Sequence, residues 1–256
     1  MIKLKNVLKN FGETTLAAIP LELSNFLVEI DKKDHDVRAS IPVYYQVGDQ
    51  VSFIKDYKMS NNKEFEKNAP EGLWRGGGIL LIKTREGVVV LYDERNKWFK
   101  MPGGVARFSE GQDLSRASVR EGVIEEISVT TADEKSRLVP KNLSMDVGLS
   151  IDSWGITTEA IRPCGELTIV GTYFNTTNRC VEVVTMWDIS HVEDELKFFH
   201  NEDWFAGGRT GFVPTVINRT GQILGIYGGR HGLISYPIPA GGVKIHPTLQ
   251  IVLESI

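Results

Sequence analysis

Glu110, the pair Arg120-Glu121 and the pair Glu125-Glu126 fall within one short stretch, a few residues after Pro102-Gly103-Gly104. Carboxylates gathered on one helical segment are what a hard divalent cation asks for. Magnesium takes oxygen ligands in octahedral geometry, usually from a few carboxylates together with waters and substrate phosphates. A cation held in this way neutralises a diphosphate and makes water acidic enough to attack phosphorus. Adjacent glycines let the backbone pass close to such carboxylates, or to a substrate, without a side-chain clash. The plainer reading of an acidic cluster is a solvated helix face. The preceding Pro-Gly-Gly and the neighbouring Arg120 favour the metal site.

Trp98-Phe99-Lys100-Met101-Pro102-Gly103-Gly104, followed by Arg120-Glu121 and Glu125-Glu126, resembles the signature of Nudix hydrolases. That signature runs Gly, five residues, Glu, seven residues, Arg-Glu, an aliphatic, any residue, Glu-Glu, any residue, Gly, aliphatic, and forms a loop, a helix and another loop. The resemblance implies hydrolysis of the pyrophosphate bond of a nucleoside diphosphate joined to another group, with magnesium or manganese as cofactor. It also implies metal ligation by Glu121, Glu125 and Glu126, and a catalytic group made of Glu121, Glu125 and Arg120. Arg120 would orient the glutamates through a salt bridge, while Gly103 and Gly104 would shape the cofactor-binding loop. A small-molecule nucleotide is the implied partner, and the implied fold is an α/β/α sandwich around a mixed sheet.

Two spacings depart from the signature. Five residues past Gly104 comes Glu110, as expected, but nine residues then separate Glu110 from Arg120. Either Glu110 serves from a longer connection, or the position counted back from Arg120, Gln112, has replaced the first glutamate. In addition, three residues separate Glu121 from Glu125 where the signature has two. At about 100° per residue, Glu121 and Glu125 share a helix face, whereas Glu126 lies roughly 140° from Glu121. Ile124 stands where the family keeps a carboxylate. Val119, Val123 and Ile127 continue at helical spacing, so an unbroken helix is the simpler expectation. The other possibility is a one-residue π-bulge, loosened at Gly122, which would bring both Glu125 and Glu126 to the metal face. The closing glycine is absent, with Ile127 or Ser128 in its place. These departures motivate a rival function, a catalytically impaired Nudix-fold module that binds a nucleotide or a protein partner as sensor or scaffold.

Family members often recruit one further carboxylate from outside the box, and Glu182, Glu193, Glu195 and Glu202 are the candidates. Trp98 and Phe99 suit core packing better than a base-stacking pocket. The histidines, among them His191, His200, His231 and His246, show no metal spacing. Gly228-Gly229-Arg230-His231-Gly232 and Gly241-Gly242 read as turns.

The elements that must position these residues are legible in outline. Val, Tyr, Ile and Phe around Gly48-Asp49 predict a hairpin over residues 41–57. The apolar runs Ile79–Ile82 and Val88–Tyr92 predict a second hairpin. Glu166–Phe174 and Val181–Ile189, joined by Asn175-Thr176-Thr177-Asn178, predict a third. Helical spacing predicts a helix over 112–127, with Asp113 and Ser115 in its first turn. Pro247 near a helix start predicts a closing helix over 246–256. Residues 1–30 read as either strand or helix, and Ser60–Ala69 reads as a loop. The chain is therefore expected to be an α/β protein with a Nudix-like domain over 76–256 and a β-rich extension over 1–75 that serves dimerisation or shapes the pocket.

At 256 residues, with 41% hydrophobic and 24% charged residues, a buried core is affordable and a disordered class is excluded. The net charge of -4 offers no basic field for a nucleic-acid backbone. Cys164 and Cys180 are too few for a disulfide framework and read as idle buried thiols. With neither a signal-like stretch nor a membrane-length apolar run, the expected location is the cytoplasm, away from membranes.

Overall fold

Leu80, Leu81 and Ile82 are buried at consecutive positions, which a strand achieves only when both of its faces are covered. They belong to β4 (Leu73–Lys83), the strand around which the rest is arranged. The computed structural model describes residues 4–6, 19–33, 40–60, 62–141, 160–201, 211–227 and 244–256. Over these residues the chain is a mixed α/β protein, mostly strand with few helices.

Chain order begins with β1 (Leu4–Asn6), α1 (Leu21–Lys33), β2 (Ile41–Val47), β3 (Gln50–Met59) and α2 (Asn62–Asn68), ahead of β4. After it come β5 (Val88–Asp93), β6 (Trp98–Lys100), β7 (Gly103–Val105), a 3-10 turn at Phe108–Glu110 and α3 (Leu114–Val119). A π-helical turn over Arg120–Glu126 continues α3 directly into β8 (Ile127–Thr131) and β9 (Ser136–Val139). The remainder is β10 (Ala160–Pro163), β11 (Leu167–Asn175), β12 (Cys180–Asp188), β13 (Leu196–His200), β14 (Phe212–Ile217), β15 (Ile223–Ile226), β16 (Lys244–Ile245) and α4 (Pro247–Ser255).

The larger sheet runs β1-β11-β12-β4-β5-β14-β15, with β2, β3, β6, β7 and β16 branching from this path. It is mixed, because β12 lies parallel to β4 while β5, β7 and β2 pair with β4 antiparallel. A smaller sheet has the order β10-β9-β8-β13. α3 crosses one face of the large sheet, packing over Gly76 and Gly78 of β4. α4 covers the other face, where Leu249, Val252 and Leu253 meet Leu81, Val90, Tyr92 and Phe99.

All three expected hairpins are present, as β2-β3, β4-β5 and β11-β12. The closing helix is present as well: His246 caps it, its Nδ1 accepting from the Thr248 amide at 3.4 Å, with Pro247 in the first turn. In the undecided amino-terminal segment, Leu23, Leu27 and Ile30 fall on one buried face of α1. The expectation of a loop over Ser60–Ala69 is wrong. α2 forms there because Phe65, fully buried, anchors one turn of an otherwise polar segment against Leu27, Ile54 and Leu73. The single helix expected over 112–127 is also corrected, since its regular part ends at Val119 and Ile127 already belongs to a strand.

The boundary expected at 75/76 falls inside β4, and Val43, Tyr44 and Tyr45 of β2 pair with Arg75, Trp74 and Leu73. Cys164 and Cys180 are free and buried, as expected. No helix among the described residues is long and apolar enough to cross a membrane. The expected glycine turns at 228–232 and 241–242 lie outside the described residues.

α3 passes close over β4 at Gly78, where an added Cβ would lie 2.1 Å from the Ser118 amide nitrogen and 2.6 Å from the Ala117 carbonyl carbon. Backbone cannot swing aside as a side chain can. Gly78→Ala is therefore expected to destabilise the protein by about 3 kcal/mol, the upper end of the overpacking range. Urea unfolding of the variant against wild type measures this.

Candidate functional site

The loop before α3 is built to deliver Glu110. Its carboxylate accepts from the Arg107 amide at 2.8 Å, closing the 3-10 turn on itself. Asp113 then caps α3 by accepting from the Ser115 amide at 3.0 Å. Residues from the amino-terminal part steady the same loop. The Tyr44 hydroxyl donates to the Gly111 carbonyl, and the Phe108 amide donates to the Ser40 carbonyl at 2.6 Å. Of the two alternatives for the first glutamate, Glu110 is the buried one and Gln112 is exposed.

Arg120, only 3% exposed, is the centre of the site. Its Nε donates to Glu110 Oε1 at 2.8 Å and its Nη2 to Glu110 Oε2 at 3.1 Å, a bidentate pair. Nη2 also donates to the Val105 carbonyl at 3.1 Å. Nη1 reaches Glu121 Oε1 at 2.6 Å and Glu125 Oε1 at 3.0 Å. Arg120 thus forms ion pairs with Glu110, Glu121 and Glu125.

The helix register is the π form rather than the regular helix that spacing favoured. The Ile127 amide donates to the Gly122 carbonyl, five residues back. Gly122 does not loosen the helix so much as admit it to the sheet, since a Cβ there would lie 2.4 Å from Leu80 Cβ. Ile124 turns into the core with Val119 and Val123. Glu125 lies against Arg107 Nη2 at 2.8 Å as well as Arg120, and Glu126 accepts from the Gly103 amide at 2.6 Å and from Lys100 Nζ at 3.1 Å. Glu121 lies over Gly104, where a Cβ would sit 2.4 Å from its Oε2. Gly103 has φ +150°, and a Cβ there would stand 2.4 Å from the Gly78 carbonyl oxygen, so both glycines of the pair are dictated by close approach.

Glu121 and Glu126 thus flank the Gly103-Gly104 strand, and Glu125 lies beside Arg107 and Arg120. Burial raises the pKa of Glu121 above its ordinary 4.5, Arg120 pulls it back, and the nearby charges of Glu125 and Glu126 raise it further. Among the described residues, no group of three or more His, Cys, Asp or Glu side chains is arranged to hold a metal ion. Each carboxylate is instead engaged by a cation. Even so, Glu121 Oε2 and Glu125 Oε2 have no hydrogen-bond partner among the described residues, whereas both oxygens of Glu126 are engaged. Two open carboxylate oxygens in a locality with excess negative charge fit magnesium, which commonly takes one or two carboxylates and fills its remaining positions with water and phosphate.

The proposed extra carboxylates are elsewhere. Glu182 faces away from α3, buried beside α4, with its oxygens accepting from Asn175 Nδ2 and Thr248 Oγ1, each at 3.1 Å. Glu193 and Glu195 line a cavity of about 200 Å³ with Thr84, Phe198 and Tyr227, and none of its lining belongs to the carboxylate group. Glu202 lies outside the described residues. Phe99 is core, as expected, and Trp98 is half-buried, its indole N–H donating to Asp93 and its ring edge-on to His246. Reading the sequence missed Lys100 and Arg107 as partners of the glutamates. Their only signal was proximity to the Pro-Gly-Gly loop.

No family model and no curated protein matches this chain. One solved structure, Tm1382, described as "a putative Nudix hydrolase", aligns over 57% of this chain and 67% of its own at 11% identity and a TM-score of 0.31. A likeness that weak defines neither a shared fold nor a shared activity.

Arg120→Met would leave Glu110 buried with no countercharge and is expected to cost about 3–5 kcal/mol at neutral pH, read by chemical denaturation. Glu121 gives a pH signature. Because its folded-state pKa is raised, its stabilising contribution is complete below about 4.5 and is lost as pH rises through the raised value. In metal-free buffer, Glu121→Gln should therefore gain stability relative to wild type as pH climbs above 4.5, and a flat difference between pH 4 and 8 would contradict this.

Proposed function

We propose that the chain is a Nudix-type pyrophosphohydrolase, acting on a nucleoside diphosphate joined to another group with magnesium or manganese. The observation that supports this most directly is that the π-turn, despite the extra residue, sets Glu121 against Gly104 and Glu126 against Gly103, with Glu125 joined to Glu121 through the shared Arg120. In this reading the two faces of the large sheet, covered by α3 and α4, are the outer layers of an α/β/α sandwich. Residues 1–75 are an extension whose hairpin braces the loop carrying Glu110, and a homodimer contact through them belongs to the same reading. A cytoplasmic setting is the one in which a nucleotide substrate is met.

Glu121 and Glu125 would hold the cation through their open Oε2 atoms. Bound magnesium would supply charge neutralisation for the diphosphate and a more acidic water. The remaining work falls to the chain. Arg120 fixes the inner oxygens of Glu121 and Glu125, so that their outer oxygens point away from it. Glu126 binds the Gly103 amide and Lys100, which holds the glycine strand against the helix. Arg107, half exposed and paired with Glu125, is placed to exchange that partner for a substrate phosphate, a group its planar fork suits. The absence of side chains at Gly103 and Gly104 lets a diphosphate lie close to the backbone.

Incubation with ADP-ribose, dinucleotides, nucleotide sugars and nucleoside triphosphates, each with magnesium or manganese, tests the reading. Turnover of at least one class is expected, reduced by about 100-fold or more in Glu125→Gln, the scale seen when a group stabilising transition-state charge is removed. Absence of turnover across the panel, joined to metal-independent nucleotide binding that survives Glu121→Gln, would replace it with a non-catalytic binding module.

A further inference from the structure

The π-turn ends in an unusual way. The chain leaves the helix at Ile127, and the carbonyls of the last helical turn need partners from elsewhere. Two buried side chains of the small-sheet region supply them. Arg137 of β9 donates from Nη2 to the Val123 carbonyl at 3.0 Å, and Asn201, just beyond β13, donates from Nδ2 to the Ile124 carbonyl. Asn201 is itself steadied by Ser128 Oγ, which donates to its Oδ1 at 2.5 Å. Arg137 and Asn201 are 2% and 1% exposed.

Arg137 is an expensive residue to bury here. No carboxylate pairs with it among the described residues, its Nε has no hydrogen-bond partner, and burial alone lowers its pKa to about 10. It is still a cation at neutral pH. What its charge faces is the carbonyl end of a helix, where the macrodipole favours positive charge. An apolar side chain would fill the space at less cost but would leave Val123 unsatisfied. A regular helix would offer these donors a different pair of carbonyls and would rotate Glu126 by about 100° relative to Glu121.

We propose that Arg137 and Asn201 are positioning residues: by binding the Val123 and Ile124 carbonyls they hold the helix in its π register, the register that sets Glu125 beside Arg107 and Arg120 and Glu126 beside Gly103. The clamp is a property of the fold. Its consequence for cation binding rests on the proposed hydrolase reading. Each donor comes from a different strand region, so the small sheet sets the register of a helix that the large sheet supports.

Two readouts separate the clamp from that reading. The Gly103 amide, bonded to Glu126, reports the register without any metal, and Mn²⁺ alone, followed by electron paramagnetic resonance, reports the cation site. Asn201→Leu and Arg137→Met remove the donors at similar volume, and Arg137→Lys restores one. Leu138→Ala, a core truncation on the same strand as Arg137, is the control for general destabilisation. In the first two variants the Gly103 amide is expected to shift and exchange about 10-fold faster, and Mn²⁺ affinity to fall about 10–100-fold, as for residues that orient metal ligands. Arg137→Lys should recover part of both effects, and Leu138→Ala should leave both near wild type. Should Asn201→Leu not fold, Ser128→Ala loosens the same side chain more gently and should shift the Gly103 amide in the same direction. A Gly103 amide that is unmoved by loss of either donor, or moved equally by Leu138→Ala, overturns the clamp. A wild-type protein with no Mn²⁺ affinity counts against the hydrolase reading instead, and the Gly103 amide still decides the register.

Discussion

A single buried guanidinium organises this structure's chemistry. Arg120 has five N–H donors, and its guanidinium donates to both oxygens of Glu110, to one of Glu121 and to the Val105 carbonyl while forming an ion pair with Glu125. Burying a cation costs several kcal/mol unless its surroundings neutralise it. Here they more than neutralise it, with three carboxylates around one positive charge. Burial raises the pKa of Glu121, and the charges of Glu125 and Glu126 raise it further against the pull of Arg120. Lysine could not substitute, because a compact ammonium cannot span two sides of a loop-to-helix junction with fixed geometry.

The guanidinium in turn depends on parts of the chain far from it in sequence. Glu110 is held in place by its own 3-10 turn, and that turn is held by Ser40 and Tyr44. Pro42 and Tyr44 also flank Gly76, where an added Cβ would meet the side chains of both as well as Leu114 of α3. The hairpin ahead of residue 76 therefore braces the carboxylate group from behind. A boundary drawn at the start of the glycine run separates pieces that the sheet joins, since β2 and β4 are hydrogen-bonded neighbours.

Much of this was readable from residue order, and the unreadable parts share a cause. Hairpins announce themselves locally, through turn residues such as Gly48-Asp49 between β-branched and aromatic runs, and the three expected ones are present. The closing helix carries its start signal in His246-Pro247. The candidate site residues could be named because Pro102-Gly103-Gly104, Arg120-Glu121 and Glu125-Glu126 lie close together in the sequence. The helix register was legible only as one of two alternatives, and spacing favoured the other. Val119, Val123 and Ile127 fit an unbroken helix, and the groups that favour the π form are Arg137 and Asn201, the latter 77 residues from the carbonyl it binds. The short α2 was missed for a similar reason, because one phenylalanine in a polar run says nothing until its pocket exists.

The π-turn also explains how Ile124 can occupy a position where a ligand was expected. The two adjacent glutamates part company here, Glu125 turning to Arg107 and Arg120 and Glu126 to Gly103 and Lys100. The extra residue separates three tasks that a regular helix would have to combine. Ile124 is released to the core, where it packs with Val119, Val123 and Leu80. Glu126 is committed to the Gly103 amide and Lys100, closing the gap between helix and glycine strand. Glu121 and Glu125, held from one side by Arg120, are left with one open oxygen each. The π-turn thus divides the acidic residues, with Glu126 spent on the glycine strand and Glu121 and Glu125 sharing one guanidinium nitrogen and each keeping an oxygen free of it.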